Sequence, residues 1–331
     1  MNYKAIAYAL FSLVFVRSGI ISIMAKVFRY TAKTGLGSNI CLKEGFLPVP
    51  VHFYSPVPDI TELERRNVWD KVSELPGIDF RREEQAAFLS LLSGRYGSEC
   101  NWPLEPTDNS GEFYRRNQSF SYGCAASTHC MIRHFKPATV IEIGSGLSSR
   151  VINTALRQNL GKDGKEGIHR IVDPYPGEAV RTGAIGRVEL VKSQVELMDR
   201  SYFATLRAND ILFIDSSHSV KIGGDVNYLF LEILPRLAPG VIVHVHDIGL
   251  PYEYPRVYAT SESFRQFWTE QYLLQGFLCF NSEFEVLLAM SYLMTEQMPL
   301  FSSAFPNFDP QLDNSSGSFW IRRRVSGEGA V

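Results

Sequence analysis

The sequence predicts a doubly wound α/β domain on a mainly parallel sheet, with a helical N-terminal extension. Three observations carry this. From residue 138 onward, short apolar runs of strand length alternate with stretches of helical periodicity. The first run is part of Val140-Ile141-Glu142-Ile143-Gly144-Ser145-Gly146-Leu147-Ser148-Ser149, a strand that breaks at two glycines one residue apart and passes into a helix. Later runs end in Asp173, Asp215 and His246-Asp247, at the strand ends where an open parallel sheet gathers its chemistry.

The elements follow in chain order. Ala5–Ala25 is nearly all apolar, broken by Arg17 and by Ser12, Ser18, Gly19 and Ser22. It is long enough to cross a bilayer, but a charge near its middle costs about 2.5–3.5 kcal/mol. No small-residue cleavage site follows it. Three readings stay open: a helix packed on the domain, a helix lying in a membrane interface, and a single span. In the last case Lys26, Arg29 and Lys33 would keep the remainder cytoplasmic. Pro48-Val49-Pro50 and Tyr54-Ser55-Pro56-Val57-Pro58 make residues 27–60 an extended arm. Residues 59–100 read as helical, capped by Asp59 or Thr61. The resulting division is 1–26 apolar helix, 27–116 arm and helical cap, and 117–331 ligand-binding domain.

Within that domain a helix from Ala125 to His134 stops at Pro137. Strands are expected at Thr139–Ile143, His169–Val172, Val188–Val191, Asp210–Ile214 and Val241–Val245. Helices are expected over 148–158, 222–236 and 262–279. Two late strands, Glu285–Met290 and Ser318–Val325, flank a loop over 299–315 and form an antiparallel pair at one edge.

Composition narrows the function. The 331 residues are 45% hydrophobic with a formal net charge of -2, so no broad basic field invites nucleic acid. Arg322-Arg323-Arg324, the one dense basic run, reads as a solvated face. Five cysteines with no C-x-x-C pair argue against a disulfide scaffold or zinc ribbon and for a reducing, cytoplasmic setting.

Glycines at 144 and 146 let a ligand approach the backbone where the first amides of a helix are free. Ser145 and Ser148, at the mouth of that helix, join the candidate binding set. A nicotinamide fingerprint wants a third glycine where this chain has Ser149. Glu142 would repel a pyrophosphate but can accept charge-assisted hydrogen bonds from a cofactor's amino group. Asp173 can accept from both hydroxyls of a ribose, and an Asp-Pro turn is compatible with that. Ser193 and Gln194 follow the third strand, where an adenine edge would pass.

A second cluster joins Phe213-Ile214-Asp215-Ser216-Ser217-His218 to Val243-His244-Val245-His246-Asp247, on neighbouring strand ends. Carboxylates suit Mg²⁺ or Mn²⁺, and imidazole widens the choice to softer metals. A metal held by Asp215, His246 and Asp247, and a purely hydrogen-bonded cluster, are both open. His218 suits a general base at neutral pH. His244, deeper in the sheet, reads as structural.

These motifs resemble the class I S-adenosylmethionine-dependent methyltransferases. The resemblance rests on Ile141-Glu142-Ile143-Gly144-Ser145-Gly146, Phe213-Ile214-Asp215-Ser216-Ser217-His218 and Leu237-Ala238-Pro239-Gly240 with His246-Asp247, and spans residues 117–325. It points to a bacterial group with D-S-S-H and H-D signatures, related to metal-dependent O-methyltransferases. It implies a Rossmann-like sheet of seven strands whose last is antiparallel. It also implies S-adenosylmethionine contacts at Glu142, Gly144, Gly146 and Asp173, a divalent cation (Mg²⁺ or Mn²⁺) at Asp215 and His246-Asp247, and His218 where the catechol type has its basic lysine. His246 replaces an oxygen ligand of that pattern.

The leading expectation is methyl transfer to an oxygen of a sugar, polyketide, phenol or lipid-linked glycan. Asn117, Phe120, Tyr122 and the loop Pro251–Pro255 would then shape the acceptor pocket or simply pack. The alternatives are a non-catalytic scaffold recruited to a membrane by its N-terminus and, disfavoured by Ser149 and Glu142, a nicotinamide oxidoreductase.

Overall fold

The computed structural model describes residues 14–164, 167–263, 265–305, 307–313 and 315–325. The chain divides into two compact units, Met1–Val68 and Trp69–Val331.

In the smaller unit the apolar segment expected from Ala5 begins outside the described residues. Its later part belongs to a helix over Val14–Thr34, which continues past the end expected at residue 26. No glycine or proline interrupts the chain between Gly19 and Gly35. Gly35, with φ 75°, then ends the helix and donates its N–H to the Thr31 carbonyl. A second helix, Ser38–Lys43, also replaces part of the expected arm, with the Phe28 and Phe46 rings meeting edge to face. Asp59, not Thr61, caps the helix Ile60–Arg65 by accepting from the amides of Thr61 and Glu62. Among the described residues no helix is long and apolar enough to cross a membrane.

The larger unit holds one seven-stranded sheet: β1 Thr139–Ile143, β2 Ile168–Val172, β3 Glu189–Val191, β4 Ile211–Ile214, β5 Ile242–Val245, β6 Phe284–Ala289 and β7 Phe319–Arg323. Their order is β3-β2-β1-β4-β5-β7-β6. Strands β1 to β5 run parallel, and β7 enters antiparallel between β5 and β6. The observed strands fall within a residue or two of the expected ones. Asp210, just before β4, accepts the amides of Thr139 and Arg207 with its carboxylate at 2.8 and 2.9 Å.

Every residue of β1, β4 and β5 is buried, as befits central parallel strands covered on both faces. The helix Arg82–Tyr96 is tied to this sheet: Gln85 accepts the Ala289 amide at 2.7 Å, and Arg81 pairs with the buried Glu285. The helix Tyr122–Phe135, capped by Ser121, starts three residues earlier than expected.

Two differences from expectation bear on the site. The expected 262–279 helix forms only over Glu270–Leu278, with 265–269 irregular. The expected loop after residue 299 starts with a helix, Met298–Ala304, which has proline in its first turn and buries Phe301.

The order reverses between β1 and β4, which is where such sheets open a crevice at their carboxyl ends. The tip residues there continue the ladder. Gly144 donates its N–H to Val172, Asp215 to Ile143 and His246 to Ile214, at 2.9–3.0 Å. The site is therefore built on the ends of rigid strands.

Candidate active site

The β1 turn needs its first glycine. Gly144 has φ +81°, and a Cβ there would lie 1.9 Å from the Asp215 carbonyl oxygen. Gly146 differs: its backbone is extended and a Cβ would meet nothing within 4 Å. The open space beside Gly146 adjoins the N-terminus of the helix Leu147–Asp163, whose first amides lack intrahelical partners. A cradle of this kind fits a ligand lying against backbone.

Glu142 lies beneath the turn instead of on its open face. It is fully buried; Ser148 donates to one oxygen at 2.6 Å, and Ser149 Oγ and His169 Nε2 meet the other at 2.8 and 2.9 Å. Ser149 Oγ also accepts the Gly146 amide at 3.1 Å. The serine in the third-glycine position thus locks the turn to the strand. Asp173, at the β2 tip, accepts from Ser145 Oγ at 2.5 Å and from the Tyr175 amide at 2.7 Å. Each of its oxygens keeps a further lone-pair direction. Ser148 is buried with Glu142, while Gln194 stands exposed after β3.

The second group forms at the tips of β4 and β5. His218 Nε2 is 3.4 Å from Asp215 Oδ1 and 3.5 Å from Asp247 Oδ2. His246 Nδ1 is 3.3 and 3.5 Å from the same two oxygens. The far nitrogen of His218 pairs with Glu270 Oε2 at 2.8 Å, and its ring packs on Trp268 at 4.4 Å between centroids. His218 and Asp247 both hold φ 56°, a conformation costing about 1–3 kcal/mol outside glycine and concentrated at functional sites. As expected, His244 is structural: fully buried, stacked on Phe213 at 3.8 Å and paired with Ser318 Oγ at 2.8 Å.

The electrostatics follow from this crowding. Burial alone would lower the His218 pKa, but the carboxylates of Asp215 and Glu270, which accept from its ring, outweigh it and push the imidazole up to about 10. His246 is likewise raised well above its ordinary value, against burial, by Asp215 and Asp247. Burial works to raise Asp215, but both histidines hold it well below the usual carboxylate range. Burial keeps Glu270 above its ordinary value despite His218. The cluster thus sets two imidazoles, each drawn toward its charged form, among Asp215, Asp247 and Glu270.

Beside His246 and Asp247 opens a cavity of about 720 Å³. Phe120, Tyr254, Tyr258 and Met294 supply apolar wall, and Asn117 and Tyr122 also line it, as do Pro255 and Glu253 of the loop named from the sequence. Asn117 itself is spent on local structure, bonding the Tyr114 and Phe120 carbonyls and the Ser119 and Phe120 amides.

Three members were missed in the sequence. Glu270 sits 52 residues from His218, at the start of a helix whose beginning the periodicity misplaced. Cys124 lines the cavity among Ser121 and Ser316 hydroxyls and the Gly317 amide. Burial opposes its ionisation, yet His246 and these donors lower the thiol to about 7. His169 had a faint signal, a polar residue at a buried position in an apolar strand.

A family model described as a methyltransferase domain matches residues 141–248, from β1 through the β5 tip, and so takes in both halves of this site. An uncharacterized protein of Archaeoglobus fulgidus is 32% identical over 184 residues, which is 53% of this chain and 80% of the relative. A solved structure described as a candidate methyltransferase from Thermobifida fusca aligns with 15% identity and a TM-score of 0.38 over 61% of this chain and 79% of its own.

Proposed function

We propose that this chain, whose residues 141–248 match a model described as a methyltransferase domain, transfers a methyl group from S-adenosylmethionine to an oxygen of a small molecule or sugar. One observation carries the methyl-transfer reading: the glycine turn and the polar cluster abut. Gly144 packs directly on the Asp215 backbone, and Asp215 meets His246, which lines the cavity. A donor lying along the turn and an acceptor in the cavity would therefore meet at the tips of β1, β4 and β5.

The residues fit the cofactor. Gly146 leaves room for it against the backbone, the helix amides face that room, and Asp173 keeps acceptor capacity for a ribose. Glu142 serves by fixing the turn through Ser148 and Ser149. Once bound, the cofactor supplies an electrophilic methyl on a sulfonium. An acceptor hydroxyl in the cavity would give up its proton to the Asp247 carboxylate, which lines that cavity, as its oxygen takes the methyl carbon and the carbon–sulfur bond breaks. The protein's contribution is mainly alignment of the two partners, which is worth about 7–11 kcal/mol in well-oriented systems. Asp215, His246 and Asp247 suit a divalent cation that orients the hydroxyl and lowers its pKa.

Side-by-side calorimetry with S-adenosylmethionine and NAD tests the cofactor, and methyl incorporation into a panel of sugars and phenols tests the acceptor. A chain that binds NAD and ignores S-adenosylmethionine would end this reading.

A recruitment role also has an observation behind it. The helix Val14–Thr34 exposes Ile21, Ile23 and Val27 beside the cationic Lys26, Arg29 and Lys33. That combination suits an anionic lipid surface.

A further inference from the structure

Building on the methyl-transfer reading just given, we propose that the Tyr258 hydroxyl binds the acceptor, donating a hydrogen bond to the oxygen that takes the methyl group. The contact selects an alcohol or phenol over an amine.

Tyr258 lies on the short helix Arg256–Thr260, and all of it but the hydroxyl is held in place. Its amide donates to the Pro255 carbonyl at 2.9 Å, and its carbonyl accepts the Gln266 amide at 2.8 Å. Its half-buried ring stands edge-on to Trp268, 4.9 Å between centroids, and Trp268 packs in turn on His218 at 4.4 Å. The residue lines the cavity together with His246 and Asp247. Among the described residues its hydroxyl has no hydrogen-bond partner. The neighbouring tyrosines differ. Tyr122 and Tyr254, on the same cavity wall, meet the Cys100 carbonyl at 3.1 Å and the Gln271 amide at 2.9 Å. Tyr252 donates to Glu296 at 2.8 Å, and Tyr272, packed on Tyr254, to Glu253 at 2.5 Å. A tyrosine in an apolar wall ordinarily finds a partner for its hydroxyl. Here that partner is the ligand.

The chemistry of the acceptor atom gives the contact its meaning. Burial first, and then the Asp247 charge, push the Tyr258 phenol up to about 12, so it keeps its proton and donates. An alcohol oxygen has one O–H and two lone pairs. The O–H goes to Asp247, and one lone pair accepts from Tyr258. The second lone pair is left to face the methyl carbon. As the new carbon–oxygen bond forms, the carbon–sulfur pair stays on sulfur and the proton rests on Asp247. A neutral amine has a single lone pair. Once that pair accepts from Tyr258, none remains for the methyl. A donor fixed on one side of the oxygen and a carboxylate on the other also limit how the acceptor can turn, which is the alignment transfer needs.

The test follows three fluorinated probes by fluorine NMR on full-length protein, with and without S-adenosylhomocysteine. 4-Fluorophenol offers an O–H and lone pairs, 4-fluoroanisole only lone pairs, and 4-fluorotoluene neither. Wild type should bind the phenol tightest and the toluene weakest. Tyr258→Phe keeps the ring and its packing on Trp268, so its thermal midpoint should match wild type. It should weaken the phenol and the anisole about 3- to 10-fold, the worth of one neutral hydrogen bond, and leave the toluene unchanged. Equal loss of all three probes would make Tyr258 a packing residue and overturn the proposal. So would undiminished phenol and anisole binding in Tyr258→Phe, or a wild type that binds none of the probes. Calorimetry with S-adenosylmethionine on the same samples keeps the two readings apart. A wild type that ignores the cofactor, yet loses phenol and anisole alone on Tyr258→Phe, would end the methyl-transfer reading and leave Tyr258 as the hydroxyl-binding group.

Discussion

The two glycines of the β1 turn make opposite predictions, and Gly146→Val is the more informative change. A Cβ at 146 meets nothing within 4 Å, and φ 176° there lies outside the left-handed region. Glycine caps a helix nearly as well as serine and valine does not, so the folded protein should lose about 1 kcal/mol. The added isopropyl group would instead occupy the space assigned to the cofactor. Its affinity should fall at least about tenfold, or about 1.4 kcal/mol, and more if the backbone contact is central. Gly144→Ala is the contrast. Its Cβ would strike the Asp215 carbonyl at 1.9 Å, and φ +81° adds about 1–3 kcal/mol of backbone strain. That variant should be visibly destabilised whatever binds. Thermal unfolding and calorimetry with S-adenosylmethionine on both variants separate the effects. Wild-type cofactor affinity in a stably folded Gly146→Val would refute the assignment of the cradle, since no side chain could sit there beside the ligand.

Three further outcomes are expected. Glu142→Gln keeps the size but removes the charge that Ser148, Ser149 and His169 share, and should cost about 2–4 kcal/mol in denaturant unfolding; an unchanged midpoint would mean Glu142 does not secure the turn. Asp225 accepts the Ser217 hydroxyl and amide at 2.6 and 2.8 Å, and although burial opposes it these bonds lower its pKa. Its contribution is therefore present above the usual carboxylate pKa and lost as pH falls through the lowered one; Asp225→Asn should flatten the acid limb of the stability profile, and an identical limb would remove the claim. Finally, full-length protein should co-sediment with anionic vesicles and not with neutral ones. Changing Lys26, Arg29 and Lys33 to Glu should weaken this by at least about 100-fold, at about 1 kcal/mol per basic residue; equal retention on both vesicle types would dismiss the electrostatic part.

The sheet was legible because its strands report their own burial. Runs such as Val140–Ile143 and Ile211–Ile214 are apolar without alternation, since both faces are covered, and the residues at their ends stand out as polar or glycine. Helix limits were less legible where tertiary contacts decide them. The helix expected from 262 starts at Glu270 because the Thr269 and Glu270 amides bond to the His218 carbonyl, a long-range pairing with no local signature. The same cause hid Glu270 from the site. Its role depends on a turn at His218 in a left-handed conformation that brings a β4 loop against a helix 52 residues away.

Glu142 shows the converse problem, in which a motif draws attention to a residue whose partners in the fold it does not show. A carboxylate two residues before the first glycine draws attention as a ligand contact. In the folded chain Ser148, Ser149 and His169 reach it first, and it is fully buried. The serine that breaks the nicotinamide pattern is the group joining turn to strand, since Ser149 Oγ holds both Glu142 and the Gly146 amide. Removing that hydroxyl would leave a buried charge short of a donor and the turn untied. The chemistry of this turn is therefore divided: Glu142 and Ser149 set its shape from below, and the open backbone at Gly146 meets whatever binds above.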